Sequence, residues 1–446
     1  RVSDKTSSRW MPCGPSGVVL HAPMHHRRFM ATVLGASAVE TAAGSLVVEV
    51  ALFLAPSSAD TCVYVDGNRY FQTHPSSYLL DWTCTVDASQ HATVHSVACH
   101  SGTVAQIECH IPHAAALRQG RAFNVSLHTT DEKLTAEGWR VPEIPMCPLP
   151  SVPIPPIGRP AVPHFQRRLT VCSEVLYSLK GEYKSIVVQQ WLEYHKLIGV
   201  DHFVLYDTDG ALGESGVLQP YIASGYVEYF PFFSHRAVSW AHGYVHAQVH
   251  APSHAAPDAQ AASHCLYLQR GVSDWVALIH SPDEYISSSR GLRDVGPELL
   301  DLLEPLRLRG LGAVDVPAIY FVRKPAGKMR DSPFLLGRYT YRASRPLQIE
   351  SWGSSVASFL NRFGSPIVDP LHVGDLVSAH YPRLPPKSLI LDDVPLQFLR
   401  VNHYGHTFRV RDVLEKDDVA VHDESALWAE PELRRRGVPP LPPGPE

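Results

Sequence analysis

The sequence predicts two domains of different class, an all-β domain followed by an α/β domain, and three observations predict it. Residues 17–140 carry short apolar runs that alternate with period two between turn residues. A proline-dense stretch follows them. Beyond it, strand-like and helix-like segments take turns, which implies a largely parallel sheet covered by helices. Length agrees, because 446 residues exceed what one typical core organises.

The amino-terminal runs are GVVLHA (17–22), SLVVEVALFLA (45–55), TCVYV (61–65), SSYLLDWTCTV (76–86), ATVHSVAC (92–99), GTVAQIECHI (102–111) and RAFNVSLHT (121–129). Val, Thr, Tyr and Cys at alternate positions suit a half-buried pleated surface. Runs at this spacing predict a β-sandwich over residues 1–140. Six of the eight cysteines lie before residue 150, and no CxxC pair occurs, which favours disulfides over a zinc cage. Cys62–Cys84 and Cys99–Cys109 are two of several pairings that spacing leaves open. The sequon Asn124-Val125-Ser126 fits the same oxidising compartment.

Residues 141–167 are expected to be an extended linker. Nine of the twenty-five residues in VPEIPMCPLPSVPIPPIGRPAVPHF (141–165) are proline, a density that opposes both a helix and a central strand.

The α/β domain is expected over residues 168–425. TVCSEVLYS (170–178) reads as a strand. The next segment, 182–199, places Ile186, Val187, Trp191, Tyr194 and Ile198 on one helical stripe closed by Gly199. VDHFVLYDTDG (200–210) is a strand that runs into two aspartates, and WVALI (275–279) is a buried strand that runs into Asp283 and Glu284. Ligands of open α/β sheets bind at the carboxyl ends of strands, where both acidic turns fall. The last residues, 426–446, end in RRRGVPPLPPGPE and are expected to be a disordered tail.

Charge and hydropathy exclude some classes. With 39 Lys and Arg against 44 Asp and Glu, the net charge is −5, so no basic face is expected and nucleic acid is not an expected partner. The most apolar stretch, residues 31–55, is broken by Glu40 and Glu49, so no membrane span is expected within the chain. A membrane is expected as a partner only through an anchor outside these residues.

QWLEYHKLIGVDHFVLYD (190–207), AQAASHCLYLQRGVSDWVALI (259–279), DEYI (283–286) and VNHY (401–404) resemble glycosyltransferase family 92. FLLGRYTYR (334–342) and SPIVDPLHVGDLVSAH (365–380) are similar to further family segments, so the resemblance spans roughly residues 168–415. It implies a GT-A-like Rossmann-type nucleotide-sugar domain behind a carbohydrate-binding-like β domain. It also implies a UDP-sugar donor, most often UDP-galactose, a divalent cation, usually Mn²⁺, inversion at the anomeric carbon, and a glycan acceptor. The setting implied is the Golgi or secretory-pathway lumen, with a homodimer left open.

The family writes the corner after WVALI as Asp-x-Asp-Glu, whereas this chain has Ser281-Pro282-Asp283-Glu284. The candidate metal ligands are therefore Asp283, His280, Ser281 and His403. Candidates for the nucleotide sugar are Asp207, Asp209, Arg270 and Lys387, with a helix-capping role weighed for Asp207. Glu284, Glu350 and Asp392 are the base candidates. His242, His246, His250 and His254 recur every four residues, but Pro252 and Pro257 break that pattern, so a solvated His-rich insertion is expected there. Replacement of the first aspartate by Ser281 supports an alternative, a glycan-binding or scaffolding protein that kept the transferase fold. A glycosidase using Asp207 and Asp283 fits the carboxylates but not the alternating fold.

Overall fold

In its amino-terminal part the computed structural model describes residues 9–12, 24–25, 29–40, 45–56, 63–64, 70–71, 82–87, 90–100, 104–111, 121–129 and 140–148. Beyond them it describes 166–207, 209–231, 233, 256–287, 297–309, 311–322, 332–344, 365–371, 373, 375–378, 381–383, 389–391, 394–396, 398–404 and 421–442. The chain divides into two compact units. Residues 1–166, 240–272 and 375–378 form the first, and residues 167–239, 273–374 and 379–446 form the second. No helix among the described residues is long and apolar enough to cross a membrane.

The first unit is built from β1 (Arg9–Pro12), β2 (Met24–His25), β3 (Phe29–Glu40), β4 (Leu46–Pro56), β5 (Val63–Tyr64), β6 (Tyr70–Phe71) and β7 (Trp82–Val86). It continues with β8 (Gln90–His100), β9 (Val104–Ile111), β10 (Phe123–Thr129) and β11 (Arg140–Pro148). Nine of these form one sheet in the order β1-β11-β10-β7-β8-β9-β4-β3-β2, while β5 and β6 pair separately. Because β1 pairs antiparallel with both β11 and β3, a ladder of eight strands returns on itself. The expected sandwich of two sheets is thus corrected to one sheet closed into a ring. Register shifts at Val33/Gly35, Val94/Ser96 and Val125/Leu127 supply the reason, since bulges increase the coil that lets a sheet curl and close.

Alternation holds inside the ring. Ala36, Ala38, Val48, Val50, Ile107, Val125, Leu127, Ile144 and Met146 are all buried. Cys84 on β7 is bonded to Cys109 on β9, with Cα atoms 6.2 Å apart and both residues fully buried. This replaces the two pairings considered from spacing. Cys147, Cys172 and Cys265 are also disulfide-bonded.

The proline segment is a second correction, because residues 141–148 belong to strand β11. It pairs with β10 on one side and β1 on the other. Pro142 falls where the β10 pairing slips between Val141 and Ile144, a bulge that tolerates a missing donor, and Pro148 ends the strand. Residues 149–165 of the expected linker lie outside the described residues.

The second unit has α1 (Glu182–Leu197), α2 (Ala211–Ser215), α3 (Gln219–Ala223), α5 (Pro297–Leu308), α6 (Leu335–Arg338) and α7 (Ala429–Arg435); α4 (Ala256–Gln269) belongs to the first unit. Its larger sheet contains β12 (Arg167–Leu176), β13 (His202–Asp207), β14 (Val227–Pro231), β15 (Ser273–Ile279), β17 (Leu311–Val314), β20 (Ile367–Val368) and β23 (Leu389–Leu391). The order is β14-β13-β12-β15-β20-β17-β23. The first four are mutually parallel, and β20 runs antiparallel to both neighbours. Strands covered on both faces read as continuous apolar runs, which is why every residue of β13 and β15 is buried.

A smaller sheet joins β16 (Glu284–Ser287), β18 (Ala318–Val322), β19 (Tyr341–Arg342), β24 (Arg400–His403) and β25 (Val421–His422) in the order β16-β24-β18-β19-β25. Two short strands, β21 (Asp375–Ser378) and β22 (Tyr381–Arg383), fall in the first and second units respectively.

The apolar stripe of α1 does more than fill the core. Trp191 Nε1 donates to the Glu284 carbonyl at 2.7 Å, and the Tyr194 hydroxyl donates to the Ile286 carbonyl at 2.9 Å. His195 Nε2 accepts the Ile286 N–H at 3.3 Å. Burial holds His195 neutral, with its pKa lowered to about 4. Helix α1 therefore fixes β16, the strand that opens on Glu284.

The expected disordered tail is the third correction, since residues 426–441 are folded onto the second unit. Ala426, Ala429, Leu433, Val438 and Leu441 are buried. Gln190 Nε2 donates to the Pro439 carbonyl at 3.0 Å, and the Leu441 N–H donates to Pro333 at 2.7 Å. The exposed Arg434, Arg435 and Arg436 lie between the buried apolar residues, which hides the amphipathic pattern in a Pro-rich sequence.

Candidate functional site

In the large sheet the chain passes from β12 to β13 on one side, while β15 lies on the other. The reversal of strand order therefore falls between β12 and β15, and a doubly wound sheet binds ligands outside the carboxyl ends at such a point. Register brings chemistry there. Ser173 pairs with Ile279, so Glu174 and His280 are neighbours just beyond the ladder. The β12–β13 register also shifts between Cys172 and Val175, a bulge that re-aims Glu174. Glu174 Oε2 lies 2.5 Å from His280 Nδ1. Nothing in the linear pattern marked Glu174, which sits in an ordinary strand; only register on β15 exposes it.

After His280 the chain turns tightly. The Glu284 N–H donates to the Ser281 carbonyl at 3.0 Å, and the Glu284 carboxylate folds back. Its Oε2 accepts the His280 N–H at 3.0 Å and lies 3.5 Å from Ser365 Oγ. Asp283 Oδ1 accepts the Ser281 hydroxyl, and its carbonyl accepts the Tyr404 N–H at 2.8 Å. Asp283 and Glu284 are 1% and 3% exposed, so each would pay heavily for an unpartnered charge.

The partner comes from β24, where antiparallel pairing sets His403 opposite Glu284. His403 Nε2 lies 3.5 Å from Asp283 Oδ2, and its Nδ1 lies 3.3 Å from Glu284 Oε1. The ring stacks on Tyr320 with centroids 4.4 Å apart. Burial disfavours the imidazolium and His280 adds a smaller opposing effect, but Asp283 and then Glu284 outweigh them, so the His403 pKa is raised. Thus the structure brings together His280, Ser281, Asp283, Glu284 and His403, and adds Glu174.

The remaining candidates are placed differently. Asp207 is fully buried, and its Oδ1 accepts the N–H groups of Asp209 at 3.2 Å and Gly210 at 3.1 Å. Its Oδ2 accepts the Leu212 N–H at 2.9 Å and the Tyr229 hydroxyl at 2.7 Å. Four in-chain donors occupy a carboxylate with about four acceptor sites, so in this structure Asp207 caps the turn into α2. Burial pushes its pKa up. Asp209 ties two loops, accepting the Ser178 N–H at 3.1 Å and the Ala211 N–H at 3.2 Å.

Arg270 belongs to the first unit, where its guanidinium lies 4.0 Å from the Tyr267 ring centroid. Glu284, a base candidate, has Oε2 bonded to the His280 N–H and Oε1 facing His403 Nδ1. Glu350, Asp392 and Lys387 lie outside the described residues, as do His242, His246, His250 and His254.

The divalent cation implied by the resemblance does not fit this arrangement. Among the described residues no group of three or more His, Cys, Asp and Glu side chains is arranged to hold a metal ion. Each His403 nitrogen faces a different carboxylate, so the ring occupies the space between Asp283 Oδ2 and Glu284 Oε1 that a shared cation would need. The residues fit an internally neutralised acidic corner.

Residues 167–303 match the family model described as Glycosyltransferase family 92. That span runs from β12 through β15 and β16 and includes Glu174, His280, Asp283 and Glu284, while His403 falls beyond it. No curated protein matches the chain.

Proposed function

We infer that this chain, whose residues 167–303 belong to glycosyltransferase family 92, transfers a hexose from a UDP-sugar to a glycan acceptor. One observation carries the reading: within the matched span, Glu174, His280, Asp283 and Glu284 gather beyond the carboxyl ends of β12 and β15, where the strand order reverses and a sheet of this kind binds its ligand. Galactose is the sugar the family resemblance favours, and inversion the stereochemical course. His280 is the base we assign. Glu174 holds its Nδ1 and so fixes the ring's orientation and tautomer. The acceptor hydroxyl gives its proton to the imidazole as its oxygen bonds to the anomeric carbon. The bond from that carbon to the diphosphate oxygen breaks, and the electron pair leaves with UDP.

The disulfides and the sequon at Asn124 support a secretory-pathway lumen, with any membrane anchor outside these residues. The closed β unit would bind the glycan.

The test is UDP release from UDP-galactose and other UDP-hexoses across a glycan panel, alongside calorimetric UDP binding with and without Mn²⁺. If UDP neither binds nor is released, the transferase reading fails. A second reading, a glycan-binding protein that kept the fold, is favoured by one feature: Ser281 donates its hydroxyl into Asp283 from the position where the family has its first aspartate. Glycan binding that is indifferent to nucleotide would support it.

A further inference from the structure

We propose that the Asp283–Glu284 corner takes the His403 side chain in place of a divalent cation, so that a phosphate-bearing ligand binds here without a retained metal. A cation site needs its oxygen and nitrogen lone pairs aimed at one point. Here they are aimed at one another. Asp283 spends Oδ1 on Ser281 and turns Oδ2 to His403. Glu284 spends Oε2 on the His280 N–H and turns Oε1 to the ring's other nitrogen. The residue that stands where a first aspartate would be is a hydroxyl donor, and it fills an acceptor position instead of adding one.

The ring is also held. It stacks on Tyr320 from β18, and the β16–β24 ladder fixes its backbone opposite Glu284. The Tyr404 N–H bonded to the Asp283 carbonyl ties the next residue to the same turn. Imidazole and cation would thus compete for the same carboxylate oxygens, and the fold has prepositioned the imidazole. The consequence for nucleotide rests on the transferase reading; the claim about the corner does not.

The experiment is Mn²⁺ titration of the full chain followed by electron paramagnetic resonance. Wild type should show no stoichiometric site. His403→Ala, which bares two carboxylates, should gain one and bind Mn²⁺ at least about tenfold more tightly than wild type. Adding Asp283→Asn should abolish the gain. His403→Gln, closer in size, repeats the test if the alanine variant is poorly folded. A wild-type protein that binds one Mn²⁺ and loses it in Asp283→Asn overturns the proposal, as does a His403 variant that folds and gains no site. UDP binding separates the two readings. Equal affinity in Mn²⁺ and in EDTA supports both, whereas UDP that binds only with Mn²⁺ overturns the proposal and keeps the transferase. UDP that never binds sinks the transferase alone, and the Mn²⁺ titration then decides the corner.

Discussion

His403 stands between Asp283 and Glu284, presenting one ring nitrogen to each carboxylate at 3.5 and 3.3 Å. Three residues from two distant stretches of chain thereby share one charge-compensated corner. Adjacent acids with almost no exposure would be costly alone, and the cross-strand pairing of β16 with β24 brings the compensation.

This relation predicts a pH signature. The fold raises the His403 pKa above its ordinary value of 6.5, burial opposing and Asp283 prevailing. Folding therefore favours the protonated ring. The stabilisation is complete below about 6.5 and is lost as pH rises through the raised folded-state value. Melting temperature should fall over that alkaline window in wild type and fall less in His403→Gln. Equal slopes for the two proteins would refute the coupling.

The Glu174–His280 pair predicts a kinetic split. His280→Ala should lower kcat about 10²–10⁴-fold with a smaller effect on KM. Glu174→Gln, which keeps shape and removes charge, should displace the acidic limb of the kcat/KM profile. A purely structural Glu174 would leave that limb in place and shift only thermal stability.

Asp207 as a cap predicts stability without affinity. Asp207→Ala removes the acceptor for three backbone N–H groups and Tyr229, and should cost about 1–2 kcal/mol or somewhat more. Nucleotide affinity of the folded fraction should be unchanged. A folded variant that loses UDP by more than about tenfold, or 1.4 kcal/mol, would return Asp207 to the ligand.

The folded carboxyl-terminal segment predicts that Leu433→Ala costs about 2–5 kcal/mol, read as a lower urea midpoint. Deleting residues 426–446 should do more, since it also removes the Pro439 bond to Gln190 and the Leu441 bond to Pro333. An unchanged midpoint on deletion would mean the segment does not pack.

Asp423 predicts behaviour in acid. Burial opposes its charge, but the Ser425 hydrogen bond, Arg400 and Arg342 outweigh it and hold its pKa down to about 2. The stabilisation is full above the ordinary 3.8 and is lost as pH falls through about 2. Asp423→Ala at neutral pH should cost about 3–5 kcal/mol, because it strands the fully buried Arg400. Chemical denaturation at neutral and acid pH checks both parts.

The sequence by itself determined the elements whose signal is local. Strands β13 and β15 are continuous apolar runs because both faces are covered, and α1 shows its stripe because a helix repeats every 3.6 residues. Alternation of these elements placed Asp283 and Glu284 at a strand's carboxyl end, and the chain's resemblance named the family. The tertiary structure decided what depends on pairing across distance. Whether eight strands close into a ring rests on bulges and on β1 meeting two partners. Whether the prolines of β11 break a strand rests on where their missing donors fall in the ladder. Cys84 meets Cys109, Glu174 meets His280, and Tyr229 joins the Asp207 cap, each for a reason of register or curl that no single stretch encodes. His403 reaches the acidic corner because β24, more than a hundred residues later in the chain, hydrogen-bonds to β16 in the one register that sets it opposite Glu284.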